Sequence, residues 1–107
     1  MHFLLTIRYP DRWYAVPEEK RSKIVTKTVA FHDKQLKAGR LKDTLTLADG
    51  RLISIWDVAS FQELVGLMAD HPYYGLVDFE PVPFLDHQEV VKLLAERRES
   101  AKKVAKR

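Results

Sequence analysis

The sequence predicts an α+β fold in which strands and helices follow the order β-α-β-β-α-β, with one further helix at the C-terminal end. Three short signals support this order. Asp49-Gly50 separates two apolar segments and predicts a β-hairpin, because both positions tolerate a positive φ. Ser60 and Glu63 form a capping box at the start of a helix. Gly39 is placed to end an earlier helix in a left-handed turn.

The spacing of apolar residues places the elements in chain order. The predicted strands cover residues 2–8, 41–48, 51–58 and 76–84, and the predicted helices cover residues 18–38, 61–71 and 88–106. Residues 9–17 contain two prolines and are predicted to form a loop. Pro81 and Pro83 indicate that the last strand lies at a sheet edge or leaves the sheet early. The order is that of the split βαβ, or ferredoxin-like, pattern.

The length of 107 residues fits one compact domain, and 46% hydrophobic residues supply its core. We assign residues 1–87 to a ferredoxin-like domain and residues 88–107 to a basic helical extension. The sequence has no cysteine, which excludes a disulfide framework, a thiolate zinc site and a cysteine nucleophile. The sequence shows neither a cationic leader nor an apolar stretch of about 20 residues, so we expect a cytoplasmic protein without a membrane segment.

The net charge of +3 is concentrated at the C-terminal end. From Lys92 onward the chain carries seven Lys and Arg against two Glu, whereas the rest carries eleven against thirteen acidic residues. The main body is therefore slightly acidic, which argues against nucleic acid as a partner.

Side chains of a strand alternate between the two faces of a sheet, and this divides the strand residues into two sets. The first set is uniformly apolar and is predicted to lie under the helices. Its members are Phe3, Leu5, Ile7, Ile53, Ile55, Val77 and Phe79. The second set mixes apolar and charged residues. Its members are His2, Leu4, Thr6, Arg8, Leu52, Ser54, Trp56, Leu76, Asp78, Glu80 and Val82.

The mixed set fits neither an open surface nor a dry core. Leu4, Trp56 and Val82 would form an unusual apolar patch in water, whereas Arg8 and Asp78 would be costly to bury unpaired. A second copy packed face to face would shelter both kinds of side chain in a half-wet interior. We therefore predict a homodimer whose two sheets close an α/β barrel.

Two segments in the second half carry a recognisable pattern. Residues 53–64 contain an aromatic-Asp-Val strand end and a Leu-containing helix, and residues 71–82 contain a Pro-aromatic turn that leads into a strand with acidic residues. His87 follows as a closing histidine. With residues 18–39 as a first helix and its glycine, the region 2–87 resembles the muconolactone isomerase family. The resemblance implies a ferredoxin-like subunit and an obligate dimer, alone or within larger rings of dimers. It also implies cofactor-free isomerisation of an unsaturated lactone by proton transfer between carbons, in aromatic catabolism.

Such a proton transfer needs a base near the substrate carbon and a group that stabilises negative charge on a carbonyl oxygen. The mixed sheet face offers Asp78 or Glu80 as the base and Arg8 as the anion partner. The alternative is a cross-strand ion pair between Arg8 and either carboxylate, with no chemistry. His32, near the buried side of the first helix, is either a proton shuttle or a hydrogen-bonded core residue.

Two aromatic residues are candidates for substrate contacts. Trp56 is either a stacking wall or a packing residue, and Tyr74 either gates a pocket or covers the edge of the core. The four histidines show no HxH or HxxxH spacing, so we expect no metal, and the family resemblance implies that no other cofactor is needed.

The C-terminal helix has a thin apolar stripe. Its members are Val90, Val91, Leu94, Ala101 and Ala105. We expect the helix to dock on its own subunit or on the partner subunit. The alternatives are fraying beyond Ser100 or a basic contact with a membrane surface or RNA.

Three functions stay open at this point. The first is a cofactor-free isomerase that acts on an unsaturated lactone or an aromatic-derived small metabolite. The second is a cofactor-independent monooxygenase of the same superfamily. The third is a dimer that binds a small ligand without catalysis.

Overall fold

A computed structural model describes residues 1–105 of the chain. Its strands are β1 (His2–Arg8), β2 (Leu41–Thr46), β3 (Leu52–Asp57) and β4 (Asp78–Phe84). Its helices are α1 (Asp11–Tyr14), α2 (Glu18–Lys37), α3 (Phe61–Asp70) and α4 (His87–Ala105). The α+β class is confirmed, and the predicted end of the last helix at Lys106 lies outside the described residues.

The four strands form one antiparallel sheet in the order β2-β3-β1-β4. Pro81 and Pro83 lie on β4, which is an edge strand as their missing N–H groups predict. Helices α2 and α3 pack on the same side of the sheet, where Phe31 of α2 lies 6.4 Å from Trp56 and Phe61 of α3 lies 5.7 Å from Phe3, measured between ring centroids. We call this side the covered face and the opposite side the open face.

The core fills the space between the covered face and the two helices. Phe3, Leu5 and Trp56 supply the sheet side, and Leu41 and Leu64 complete the cluster. Burial of this apolar surface is the main stabilising contribution to the domain.

The two faces of β3 were assigned the wrong way round from the sequence. In the observed register Phe3 is opposite Trp56 and Leu4 is opposite Ile55. Residues directly opposite each other point to the same face, so Leu52, Ser54 and Trp56 lie on the covered face, and Ile53 and Ile55 lie on the open face. The alternation within β3 could not decide this, because both of its sets are largely apolar.

The segment 9–17, predicted as a loop, contains the short helix α1. Pro10 precedes it, Asp11 begins it, and the amide of Trp13 donates to the carbonyl of Pro10 over 2.9 Å. The Trp13 side chain is buried and packs 5.0 Å from the ring of Tyr73. This aromatic contact fixes the connection between β1 and α2.

The turn signals are confirmed, with two differences in detail. Gly39 and Gly50 have φ values of 79° and 93°, whereas Asp49 keeps a negative φ. The hairpin turn begins at Leu47, whose carbonyl accepts from the amide of Gly50 over 2.9 Å, so β2 ends at Thr46 rather than at Ala48. The last strand likewise begins at Asp78, because the residues before it form turns after α3.

Helix α4 extends away from the rest of the molecule. The chain measures 70 × 28 × 23 Å along its principal axes, and Val90 is the one half-buried residue in the described side chains of α4. Across residues 1–105, none of the helices combines the length and the apolar character that crossing a membrane would require.

Candidate functional site

A surface cavity of about 420 Å³ lies where β1 ends, beside the β2–β3 hairpin and the start of β4. Two arginines, two carboxylates and two tyrosines contribute to its wall. These are Arg8, Arg51, Asp49, Asp78, Tyr9 and Tyr14. Its volume is in the range of small-molecule sites, and its polar groups converge from three parts of the chain. We call it the arginine cavity.

Arg8 and Glu80 form one ion pair on the open face. The register of β1 and β4 places Arg8 opposite Asp78 and Thr6 opposite Glu80, and Arg8 Nε lies 2.8 Å from Glu80 Oε1. Both side chains keep about half of their surface exposed, with values of 50% and 51%. The structure therefore brings together the base candidates and the anion partner that the sequence predicts, and it pairs Arg8 with Glu80 rather than with Asp78.

Arg12 of α1 forms an ion pair with Asp78. Its guanidinium donates to Asp78 Oδ1 and, through Nε, to the carbonyl of Gly75 over 3.2 Å. The two bonds fix the side chain of Arg12 across the start of β4, so that it orients the carboxylate of Asp78 at the cavity wall. Asp78 itself is 52% exposed, which leaves it accessible to a ligand.

Arg51 and Asp49 form a third pair, inside the hairpin. Arg51 Nε lies 2.8 Å from Asp49 Oδ2, and the Arg51 amide donates to Asp49 Oδ1 over 3.1 Å. The bond from this amide, followed by that from the Arg51 side chain, lowers the pKa of Asp49, and its small burial opposes them only in part. Asp49 therefore carries a negative charge at neutral pH.

Tyr9 forms the inner wall of the arginine cavity. Burial, followed by the hydrogen bond with the Tyr73 side chain, raises the pKa of Tyr9. Its ring meets Tyr73 edge to face at 5.7 Å. A phenol in this state is a hydrogen-bonding group and not a proton acceptor, so the candidate bases of the cavity are its carboxylates.

His32 lies on the other side of the sheet from these carboxylates. Its ring is 6.5 Å from Trp56, under α2, and its Nε2 is 3.2 Å from Nε2 of His71. The sheet separates it from Asp78 and Glu80, so the three residues predicted as catalytic do not meet within one chain. Of the two roles considered for His32, the structure shows the hydrogen-bonded core residue.

The hydrogen bonds fix which nitrogen of each histidine carries the proton. The amide of Tyr73 donates to Nδ1 of His71 over 3.0 Å, so the proton of neutral His71 is on Nε2. That proton is donated to Nε2 of His32, which places the His32 proton on Nδ1. Burial lowers the pKa of both rings, and with the added charge of His32 the pKa of His71 falls to about 3. The pair is neutral near pH 7.

The two aromatic candidates occupy different places. Trp56 is 1% exposed on the covered face, where its indole N–H donates to the hydroxyl of Ser54 over 2.9 Å. It is a packing residue and not a wall of the arginine cavity. Tyr74 is exposed in the turn after α3 and does not contribute to the cavity.

Sequence reasoning missed Arg12, Arg51, Tyr9 and Tyr14. Arg12 and Tyr14 lie in the segment predicted as a loop, and the signal that could have found them is Pro10-Asp11, a favourable start for a helical turn. Arg51 directly follows the hairpin turn that the sequence does predict.

A larger apolar groove, of about 610 Å³, lies where α4 leaves β4. Glu89 is the one acidic residue in its lining, beside residues such as Phe84, Leu85 and Val90. The lining is mostly apolar, with His2 and Glu89 as its polar side chains and no arginine, so the arginine cavity is the better candidate for a functional site.

A scan against protein-family models gives no match, and a search of curated proteins finds no relative.

Proposed function

We propose that the chain is the subunit of a ferredoxin-like dimeric α/β barrel that moves a proton on a small unsaturated lactone or aromatic-derived metabolite, without a cofactor. The proposal is supported by the element order, by the order of the four strands, and by the resemblance to the muconolactone isomerase family over residues 2–87. The single observation that carries the chemistry is the arginine cavity, which combines accessible carboxylates with arginines.

Dimerisation in this proposal follows from the composition of the open face. Leu45 and Val82 are exposed there, next to the ion pair of Arg8 and Glu80. Within the described chain, no helix covers this face, and a second copy laid across it would remove the apolar side chains from water. The dimer would also narrow the arginine cavity, whose Arg8 and Asp78 lie at the border of the open face.

In the proposed reaction Asp78 or Glu80 removes a proton from a carbon next to the substrate carbonyl and returns it to another carbon of the same conjugated system. Asp78 is paired with Arg12, and Glu80 is paired with Arg8. In either case the paired arginine stays within reach of the enolate oxygen and stabilises its charge. Tyr9 donates no proton to the substrate carbon and serves as a wall. Atoms and charge balance within the substrate, so the reaction needs no co-reactant.

The test is exchange of carbon-bound hydrogen in deuterated water. The full chain is incubated with unsaturated lactones and aromatic-derived acids, and deuterium incorporation and isomerisation are followed by proton NMR. We expect Asp78→Asn or Glu80→Gln to lower the rate by about 10²–10⁴, the usual contribution of a general base. The matched control is Asp43→Asn, since Asp43 is also an exposed carboxylate but lies on β2, at the opposite edge of the sheet from β4. No exchange with any compound, or equal loss in all three variants, would refute the proposal.

A second candidate function is ligand binding without catalysis. The specific observation in its favour is that Glu80, Asp78 and Asp49 each already form an ion pair with an arginine, as residues that only bind and orient a ligand would. Binding of an acid to the full chain, seen as chemical shift changes at Arg8 and Arg51 without deuterium exchange, would favour it. Consumption of oxygen during turnover would instead indicate the monooxygenase.

A further inference from the structure

Helix α4 leaves apolar side chains in water along its whole length. Val91 and Leu94 are each 52% exposed and Val104 is 70% exposed. These apolar side chains would not stabilise a helix that stayed in solvent on all sides. The apolar groove at its base covers only the first turn, at Glu89 and Val90.

The charges of α4 are divided unevenly between its two sides. Leu94, Arg97, Arg98 and Ala101 follow the i, i+3, i+4, i+7 spacing and share the apolar side, where no acidic residue joins them. The opposite side is balanced, since it is formed by Lys92, Glu96, Glu99 and Lys103. Within residues 1–105, Arg97 and Arg98 hold no ion pair. The positive charge therefore lies on the same side of α4 as the apolar stripe, as expected if this side docks on a surface that carries carboxylates.

Strand β4 offers a complementary row on the open face. Its alternate residues are Phe84, Val82, Glu80 and Asp78, so the row begins apolar beside the base of α4 and ends in two carboxylates, each paired with one arginine and half exposed. Val82 and Glu80 are about 7 Å apart along a strand, and Leu94 and Arg98 are about 6 Å apart along a helix. Strand β4 and helix α4 thus each carry an apolar residue followed by a charged one at a similar distance. The charge is negative on β4 and positive on α4.

The helix and the row cannot meet within one chain as it is folded. Helix α4 begins three residues after β4 ends and continues away from the body, so its apolar side does not return to the open face. Strand β4 of another copy offers an apolar and acidic partner of matching spacing.

We propose that α4 lies along β4 of a second copy, with Leu94 on Val82 and Arg98 beside Glu80, and that two-fold symmetry makes this contact twice. Glu80 can accept the second cation because its carboxylate has several acceptor sites and stays half exposed beside Arg8. The helix of one copy then adds a guanidinium next to the arginine cavity of the other. This inference rests on the homodimer of the proposed function and names the element that completes its site.

Chemical cross-linking between two differently tagged full-length chains tests the placement. The chain has no native cysteine, so Val82→Cys in one copy and Leu94→Cys in the other introduce the only thiols. With a short bismaleimide we expect the mixed cross-linked dimer to form at least tenfold faster than in the control pair, Val29→Cys with Leu94→Cys. Val29 is a matched control, because it is an exposed valine on α2, away from the open face.

Charge reversal provides the second measurement. Arg98→Glu should slow the mixed cross-link about tenfold, whereas Lys103→Glu on the opposite side of α4 should leave it unchanged. If Val82 and Val29 react equally fast while sedimentation still shows a dimer, the placement of α4 is wrong and the dimer stands. If the chain sediments as a monomer, both the placement and the dimer are wrong. The deuterium exchange assay decides the chemistry separately from either result.

Discussion

His71 donates a hydrogen bond from Nε2 to Nε2 of His32, 3.2 Å away, between the helices and the covered face of the sheet. The bond joins two residues that are 39 positions apart in the chain. It exists only while both rings are neutral, because protonation of His32 would turn its acceptor nitrogen into a second donor.

The stability of the fold should therefore fall in mild acid. Burial lowers the pKa of His71 to about 3 and also lowers that of His32, while the unfolded chain titrates near 6.5. Between these values the unfolded state binds more protons, so stability is complete above pH 6.5 and decreases as the pH falls towards 3. The slope is at most about 1.4 kcal/mol per pH unit for each histidine. Urea unfolding from pH 7 to 4.5 should show it.

A histidine substitution separates this effect from that of the carboxylates. His71→Asn keeps an acceptor for the Tyr73 amide but removes the titrating ring, so the free energy of unfolding should depend less on pH between 6.5 and 4.5. His87→Asn is the control, since His87 is exposed on α4. Equal slopes in the wild type and in His71→Asn would show that the pair does not govern the acid response.

Ser54 should matter more than its size suggests. It is fully buried, and its hydroxyl accepts the indole N–H of Trp56 and donates to the carbonyl of Leu5 over 3.4 Å. Ser54→Ala would leave the buried indole N–H without a partner and lower the free energy of unfolding by roughly 1–3 kcal/mol. The exposed Ser22→Ala should change it by less than about 0.5 kcal/mol. A loss that is the same in both variants would contradict the role of this bond.

Two glycines should respond to alanine in opposite directions. Gly50 has a φ of 93°, so Gly50→Ala should strain the hairpin and cost about 1 kcal/mol or more. Gly66 lies in α3 with ordinary helical backbone and open space around its α-carbon, so Gly66→Ala should stabilise by roughly 0.5–1 kcal/mol. Thermal unfolding of both variants measures the difference, and a shift of the same sign in both would disprove the argument.

Arg51→Met should restore the pKa of Asp49 only in part. The largest cause of its lowered value is the hydrogen bond from the backbone amide of residue 51, which the substitution leaves in place. The side-chain bond and charge would be lost. A carbon-13 NMR titration of the Asp49 carboxyl should find its pKa between the wild-type and the ordinary value, and a full return to the ordinary value would show that the side chain alone lowers it.

Local signals in the sequence predict most of the fold. The Ser60 cap and Gly39 each depend on a few neighbouring residues, and the structure confirms them, with Ser60 accepting the amide of Glu63 over 3.1 Å. The prediction of which β3 residues face the helices was wrong, because it depends on the register between β3 and β1. In the sequence, Ser54 between Leu52 and Trp56 did not distinguish a buried row from an open one. Only the contact of its hydroxyl with Trp56 explains a polar residue there.

The same distinction between local signals and contacts of distant segments applies to the candidate site. Arg8, Asp78 and Glu80 were placed together correctly because strand alternation carries them to one face. Arg12 reaches Asp78 from a helical turn, Arg51 lines the cavity from a hairpin, and His71 meets His32 across the core. These are contacts between distant segments, which the spacing of residues within one element does not encode.

The prolines of β4 restrict the addition of a further strand to this edge of the sheet. Pro81 and Pro83 are opposite Leu5 and Phe3, and they take away two of the donors that the outer rim of the sheet would otherwise present to a fifth strand. Elongation by strand addition, the route to ribbons and fibrils, is therefore blocked at this border. The restriction applies to this edge alone, because β2 at the opposite edge of the sheet contains no proline.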